Sequence, residues 1–133
     1  MTDPLHAPTT IQRGGCHCGA VRFEALGELS GLEICDCSIC LRKGYVHWYV
    51  PRERFRLIVG EDALASYRFG TGRARHRFCA TCGVAPFYEP RSDPDKIDVN
   101  VRCLDGMTLA KLEQLHTTLF EGEHWEAAFQ RLR

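Results

Sequence analysis

The sequence lacks long hydrophobic runs and has no excess charge of either sign. No apolar stretch approaches the ~20 residues that a membrane-spanning helix needs, so no membrane partner is expected. The 17 lysines and arginines are balanced by 17 aspartates and glutamates, which gives a formal net charge of zero. No nucleic-acid partner is expected either, because there is no basic excess to displace phosphate counterions.

Internal repeats and low-complexity tracts are also lacking, and no secretory leader is expected. The first residues have neither the basic region nor the apolar core of a signal peptide, which predicts a cytoplasmic protein. No linker divides the 133 residues, so we expect one zinc-binding domain over residues 11–133. Residues 1–10, which include Pro4 and Pro8, are predicted to be a flexible leader.

Short segments of alternating apolar and polar residues, separated by glycine, proline and aspartate turns, predict a mainly β protein. The predicted strands are residues 11–16, 20–25, 32–35, 45–50, 55–59, 64–69, 75–78, 84–88 and 97–101. Small helices are predicted near the C-terminus, at residues 108–114 with Thr108 as the cap and at residues 123–132. The basic stretch at residues 73–77 alternates with small or apolar residues, which is typical of the solvent-facing side of a strand.

Cysteine is the most informative residue that the sequence does contain. Seven of its eight cysteines fall in three tight clusters, within residues 16–18, 35–40 and 79–82. In a reducing compartment such clusters are more typical of metal ligands than of disulfides. Zn²⁺ takes four soft ligands at about 2.3 Å, so two pairs complete a site whereas a triplet leaves one position open.

The first and last clusters together supply four thiols. Cys16 and Cys18 have a spacing that points both sulfurs to one side of an extended chain. Cys79 and Cys82, followed by Gly83, are typical of a zinc knuckle, in which glycine permits the unusual backbone angles of the turn. A closed set of four predicts a structural zinc. Spacing also permits a rival partition into two different sets, Cys16, Cys18, Cys35 and Cys37 against Cys40, Cys79, Cys82 and Cys103.

The central cluster predicts a second zinc with an open position, held by Cys35, Cys37 and Cys40. Three thiolates around Zn²⁺ leave a net negative charge, which weakens the ion toward water and favours another soft donor. We therefore expect an incoming thiol, which loses its proton on coordination. The eighth cysteine, Cys103, is predicted to be a small core residue rather than a ligand.

Polar and aromatic residues surround the central cluster in sequence. Arg42 and Lys43 follow it directly and are able to offset negative charge or hold a substrate carboxylate. The interpretation of these two as ordinary surface cations stays open. The predicted neighbours of the thiol substrate are Ser38, Arg42, Lys43, His47 and Trp48.

Several stretches resemble the motifs of the glutathione-dependent formaldehyde-activating enzyme family, which also includes the domain of centromere protein V. They are Gly15-Cys16-His17-Cys18-Gly19-Ala20-Val21, Cys35-Asp36-Cys37-Ser38-Ile39-Cys40 with Arg42-Lys43-Gly44, and Phe78-Cys79-Ala80-Thr81-Cys82-Gly83. Residues 99–105 and 120–126 resemble the C-terminal portion of the family, so the likeness runs from about residue 11 to residue 127.

This resemblance implies a fold, a ligand partition and a reaction. The fold is the Mss4-like β-tent of short antiparallel strands. In the family the first pair and the final pair hold the structural zinc, which corresponds to Cys16, Cys18, Cys79 and Cys82 here. The triplet Cys35, Cys37 and Cys40 corresponds to a second, catalytic zinc that meets the thiol of glutathione. The implied activity is that of a carbon–sulfur lyase or synthase, which condenses glutathione with formaldehyde to S-(hydroxymethyl)glutathione.

Two other functions stay open from the residues alone. One is a module that binds glutathione or another thiol without turnover. The other is a structural scaffold for protein contacts, in which a fourth protein ligand, such as Cys103 or a histidine, closes the second metal site.

Overall fold

A computed structural model describes residues 10–90 and 94–121 of the chain. This part of the chain contains ten strands, two short α-helices and three single turns of 3₁₀-helix. The strands are β1 (Ile11–Gly15), β2 (Arg22–Leu26), β3 (Leu32–Cys35), β4 (His47–Pro51), β5 (Phe55–Val59), β6 (Leu64–Tyr67), β7 (Arg75–Cys79), β8 (Phe87–Glu89), β9 (Lys96–Asn100) and β10 (Thr117–Phe120). The helices are α1 (Ser38–Lys43) and α2 (Leu109–Gln114).

The strands form two sheets. The smaller sheet has the order β1-β2-β5 and is antiparallel throughout. The larger sheet has the order β10-β3-β4-β9-β8-β7-β6 and is antiparallel except for the parallel pair of β10 with β3. The prediction of a mainly β fold of short, mostly antiparallel strands is confirmed.

Three phenylalanines from different strands join the two sheets in the core. Phe23 of β2 stacks on Phe55 of β5, with ring centroids 5.5 Å apart. Both rings contact Phe87 of β8, at 6.3 Å and 4.8 Å. Aromatic pairs at these separations contribute about 0.5–1.5 kcal/mol each beyond the burial of their area. Phe23 is 1% exposed, so the residue alternation in β2 places its apolar side against the larger sheet.

Helix α2 confirms the prediction at residues 108–114. The hydroxyl of Thr108 accepts a hydrogen bond from the backbone N–H of Lys111 at 3.1 Å, as an N-cap does. Helix α1 and strand β10 were not predicted. α1 begins inside the cysteine triplet, where the sequence has no apolar periodicity typical of a helix. Only two residues separate the end of α2 from the start of β10.

Residues 75–77 of the basic stretch lie on β7, but the prediction that the stretch faces solvent is wrong for two of its members. His76 and Arg77 of β7 are only 4% and 6% exposed. Arg77 is paired with Glu61 at 2.9 Å and with Glu89 at 3.4 Å, and its guanidinium lies 5.9 Å from the ring of Phe87. Burial of this cation is possible because two carboxylates and a ring face replace its hydration.

Parts of the predicted organisation lie outside the described residues. These are residues 1–9 of the predicted leader and the predicted helix at residues 123–132. The division into a leader and a single domain therefore stays a prediction. Neither α-helix in the part of the chain that the structure describes has the length and apolar character of a bilayer-crossing segment.

Candidate metal centre

The sulfurs of Cys16, Cys18, Cys79 and Cys82 converge, and their Sγ atoms all lie within 4.8 Å of one another. The Sγ of Cys18 lies 3.7 Å from that of Cys16 and 3.7 Å from that of Cys79. Four sulfurs in a tetrahedron at about 2.3 Å from a zinc ion are about 3.8 Å apart, so this group fits the ion. The separations are far longer than the ~2.05 Å of a disulfide bond, and all eight cysteines are free thiols.

Backbone amides of the two turns favour the thiolate form in this group. The N–H of Val21 donates to the Sγ of Cys16 at 3.3 Å, and the N–H of Thr81 donates to the Sγ of Cys79 at 3.4 Å. The pKa of Cys82 is lowered to about 6, chiefly by the backbone N–H of Val84. Such amides stabilise the charge that metal ligation requires.

The local chain geometry explains how the second pair is aimed. Cys79 ends β7, and the chain turns back so that the N–H of Gly83 donates to the carbonyl of Cys79 at 2.8 Å. Gly83 has φ of +79°, the left-handed conformation expected of the glycine after a zinc knuckle. Because Cys16 follows β1 of the smaller sheet and Cys79 belongs to the larger sheet, this group connects the two sheets.

The second group contains Cys35, Cys37 and Cys40, whose Sγ atoms also lie within 4.8 Å of one another. Cys35 ends β3 and pairs with Phe120 of β10, so the unpredicted parallel strand helps to position it. Cys37 is the N-cap of α1, and its Sγ accepts a hydrogen bond from the N–H of Cys40 at 3.4 Å. The helical turn therefore brings the second and third sulfurs of the triplet together.

Crowding of three thiols determines how they share protons. Hydrogen bonds from the thiols of Cys35 and Cys40 lower the pKa of Cys37 strongly, and backbone N–H groups add to this. The hydrogen bond with Cys37 raises the pKa of Cys35 to about 11, and hydrogen bonds with Cys35 and Cys37 raise the pKa of Cys40 further. The thiolate of Cys37, which accepts hydrogen bonds from two thiols and from backbone amides, therefore favours the binding of a cation.

The sulfurs thus fall into a group of four and a group of three rather than into the rival partition. Across residues 10–90 and 94–121, no further cysteine, histidine or carboxylate joins the second group. Cys103 belongs to neither group. Its Sγ lies 3.8 Å from the carbonyl of Ala85, and burial raises its pKa to about 12. Cys103 is half-buried and lies outside the hydrophobic core cluster, so the prediction of a core residue is wrong.

Two clefts border α1 and share Ile39, Lys43 and Tyr67 in their walls. The first, which we call the His76 cleft, has a volume of about 390 Å³ and is lined by Ile39, Lys43, Tyr67, His76, Phe78, Gly83, Val84, Ala85 and Asn100. The second, which we call the Phe69 cleft, has a volume of about 550 Å³ and is lined by Ser38, Ile39, Arg42, Lys43, Tyr67 and Phe69. Their shared walls place both clefts next to the helix that carries Cys40.

The predicted neighbours of the thiol substrate are not all in the clefts. Ser38, Arg42 and Lys43 line the Phe69 cleft. His47 is 1% exposed and Trp48 is 4% exposed, and neither lines either cleft. Trp48 packs in the hydrophobic core, whereas the ring of His47 packs against that of Tyr45. The assignment of all five as substrate contacts stays a prediction.

The ammonium group of Lys43 contacts three aromatic rings. Its Nζ lies 3.4 Å from the Nδ1 of His76, 5.0 Å from the ring of Tyr45 and 5.3 Å from the ring of Tyr88. Burial lowers the pKa of Lys43, while the electrostatic interactions of Lys43 with Cys40, Asp98 and Cys37 oppose that shift. Burial also lowers the pKa of His76 to about 4, so its ring is neutral at pH 7 and Nδ1 accepts from the Lys43 ammonium.

His47 and Asp98 form a buried pair next to the rings that contact Lys43. The Nδ1 of His47 lies 2.6 Å from the Oδ2 of Asp98, and the hydroxyl of Tyr45 donates to the carbonyl of Asp98 at 2.8 Å. The ring of His47 packs against Tyr45 at 4.7 Å and against Tyr88 at 5.9 Å. Asp98 thereby lies close enough to Lys43 to oppose the lowering of its pKa by burial.

Sequence reasoning missed most of the cleft walls. Tyr67, Phe69 and His76 come from β6, β7 and the loop between them, more than 25 residues away from the triplet. Tyr67 and Phe69 are separated by one residue, and two aromatics so spaced beside a glycine-rich turn were the available signal. Nothing in the sequence showed that this turn faces α1.

The fold and the two groups define a mainly β protein with two cysteine clusters that can each hold a metal ion, one closed by four sulfurs and one with three. The chain belongs to the glutathione-dependent formaldehyde-activating enzyme family, whose family model matches residues 11–121. The resemblance found in the cysteine motifs is therefore confirmed.

A solved structure supports the same conclusion about the fold. The crystal structure of a protein from Rhodobacter sphaeroides, obtained in a structural-genomics project, is 37% identical in sequence to this chain. The match covers 80% of this chain and 99% of that one, with a TM-score of 0.72.

Proposed function

We propose that this protein is a zinc-dependent carbon–sulfur lyase or synthase that condenses glutathione with formaldehyde to S-(hydroxymethyl)glutathione. The observation that carries the proposal is a group of three sulfurs, without a fourth protein ligand among the described residues, beside two clefts. Membership of the family supports glutathione and formaldehyde as the small-molecule partners. We further propose a cytoplasmic location, where glutathione is abundant.

Each cysteine group has its own role in this proposal. Cys16, Cys18, Cys79 and Cys82 hold a structural zinc, because four sulfurs leave no position for a substrate. Cys35, Cys37 and Cys40 hold the catalytic zinc. Zinc bound by these three sulfurs would supply an open position that takes the sulfur of glutathione and keeps it deprotonated.

The reaction needs no oxidant or reductant. The sulfur of glutathione forms a bond to the carbonyl carbon, the C=O π bond breaks, and the thiol proton ends on the oxygen. The chain's part is to hold the two reactants together and to exclude water, which raises the effective concentration of one toward the other. Lys43, which lines both clefts, provides a fixed positive charge for a carboxylate of glutathione.

The direct test is the rate of condensation. Zinc-loaded protein is mixed with glutathione and formaldehyde, and the decrease of free thiol is followed against buffer alone and against heat-denatured protein. We expect a rate that increases in proportion to enzyme and saturates with glutathione. If the native protein condenses the pair no faster than buffer does, the enzyme proposal is wrong, and thiol binding measured by calorimetry would then identify a non-catalytic module.

Replacing Lys43 with methionine is expected to raise KM for glutathione about tenfold, which corresponds to about 1.4 kcal/mol, with a smaller change in kcat. The Lys43 ammonium is partly buried, so its pairing with a carboxylate is screened less than that of a surface cation. Steady-state kinetics at low and high salt measure the effect.

Arg42→Met is the matched control for this prediction. The guanidinium of Arg42 is exposed and donates to the carbonyl of Ser38 at 2.9 Å. We expect its replacement to change KM less than the Lys43 replacement does. Equal effects of the two variants would show that the clefts recognise only the total charge of the helix end.

A further inference from the structure

The two clefts offer more room than glutathione and formaldehyde need. Their volumes of about 390 Å³ and about 550 Å³ each fall within the range of about 300–1,000 Å³ that is usual for a whole small-molecule site. Glutathione is a tripeptide that fills one such site, and formaldehyde has only one carbon and one oxygen. Because the clefts share Ile39, Lys43 and Tyr67, a glutathione molecule seated in one of them leaves the unshared walls of the other available to a further group.

The two clefts differ in chemistry, which indicates which reactant each suits. The His76 cleft is lined by the polar residues His76 and Asn100 and by residues 83–85. Amide and carboxylate groups of a tripeptide suit that lining. The Phe69 cleft is walled by Ile39, Tyr67 and Phe69, with cations at Arg42 and Lys43 whose alkyl stems are apolar. That lining suits an apolar group.

A column of stacked rings ends in the Phe69 cleft. Tyr67 stacks on Phe69 with centroids 5.6 Å apart, Phe69 on His76 at 5.5 Å, and His76 on Tyr88 at 4.7 Å, all with interplanar angles of 24° or less. Tyr88 is 7% exposed, whereas Phe69 is 44% and Tyr67 is 53% exposed. Large aromatic side chains left exposed side by side in a cleft mark a surface for binding rather than for packing.

We infer that the aldehyde accepted by this enzyme is larger than formaldehyde and carries a planar, apolar substituent that lies against Tyr67 and Phe69. The inference rests on the proposed function, because it names the electrophile of that same reaction. The product is then an S-[hydroxy(aryl)methyl] adduct of glutathione, with the hydroxyl group on the carbon joined to sulfur. The bonds that form and break and the movement of the proton are the same as with formaldehyde, so no further reactant is required.

Stable thioethers test the substituent directly. S-benzylglutathione places a planar ring on the carbon joined to sulfur, and S-methylglutathione has the one-carbon group that formaldehyde would provide. Calorimetry with zinc-loaded protein is expected to show about tenfold tighter binding of the benzyl compound. In Tyr67→Ala the two compounds should bind with affinities within about twofold of each other, because the ring loses its stacking partner.

The control is Ile58→Ala, which shortens an exposed apolar side chain on β5 in the other sheet. This variant should keep the tenfold preference for the benzyl compound. Phe69→Ala serves as a second cleft variant if Tyr67→Ala does not fold, since Phe69 lies in the loop after β6 and is also exposed.

Three results would overturn the inference: equal binding of the two thioethers by the native protein, a preference that survives in both cleft variants, or no binding of either compound. The second result would mean that glutathione itself spans the two clefts and that the ring lies elsewhere. The condensation assay with formaldehyde separates this test from that of the proposed function. Acceleration of that reaction without a benzyl preference refutes the inference alone, whereas a benzyl preference without acceleration refutes only formaldehyde as the electrophile of the proposed reaction.

Discussion

Cys37→Ser is expected to lower kcat/KM for the condensation by at least about 100-fold while the protein stays folded. Loss of a residue that only orients a metal ligand already costs about 10- to 100-fold, and Cys37 is itself one of three proposed ligands. Serine is a suitable replacement because it is also a favoured N-cap, so the hydrogen bond from the N–H of Cys40 that starts α1 has an acceptor in the variant. The substitution thus removes a soft ligand and preserves the helix.

Native mass spectrometry and thermal denaturation complete this experiment. We expect two zinc ions per chain in the native protein and one in Cys37→Ser, with the melting temperature lowered by only a few degrees. Cys103→Ser is the matched control, since Cys103 belongs to neither sulfur group, and it should keep both ions and its activity. Full activity of Cys37→Ser would disprove the catalytic role of the triplet.

Cys79→Ser is expected to have the largest effect on folding of any single change in the chain. The free energy of zinc binding in a closed site of four ligands is about 10–16 kcal/mol, while the net stability of a domain is only about 5–15 kcal/mol. Cys79 is fully buried at the end of β7, and its group joins β7 to the turn after β1. We expect insoluble protein, or a melting temperature lowered by more than about 10 °C.

Chelation of the native protein tests the same point without a variant. On titration with a strong chelator, one zinc should leave with loss of activity and little change in far-ultraviolet circular dichroism. Removal of the second should coincide with loss of the β signal. If both ions leave while the circular dichroism and the melting temperature stay unchanged, the four-sulfur group does not stabilise the fold.

Much of the site could be predicted because metal ligands are encoded by residue type and short spacing. Cys35, Cys37 and Cys40 lie within six residues, so a single turn brings their sulfurs together whatever the rest of the fold. The pairing of Cys16 and Cys18 with Cys79 and Cys82 is different, since spacing alone also permitted the rival partition. That choice depends on how two sheets pack, and the core contact of Phe23 with Phe87 is part of that packing.

The strands were predicted more readily than the elements that complete the site. β2, β5 and β9 have the alternation of a half-buried or buried strand, which is a local property. Helix α1 is only six residues long and is capped by a thiol, and strand β10 pairs with a strand more than 80 residues earlier. His76 and Arg77 were expected to face solvent because basic side chains are costly to bury without a partner. The sequence does not show which acidic side chains pair with Arg77 in the fold.

The amino-acid sequence by itself determined the family, the mainly β class and which seven cysteines are available as metal ligands, because each depends on local pattern. The division of those cysteines into four and three was implied by the family resemblance, and the tertiary structure shows the sulfurs of each group together, with no fourth ligand at the triplet within the described residues. Only the tertiary structure decided that Tyr67, Phe69 and His76 face α1 and form clefts beside the triplet. These features depend on contacts between strands far apart in the chain, and such contacts are selected by the packing of the whole core rather than by any short segment.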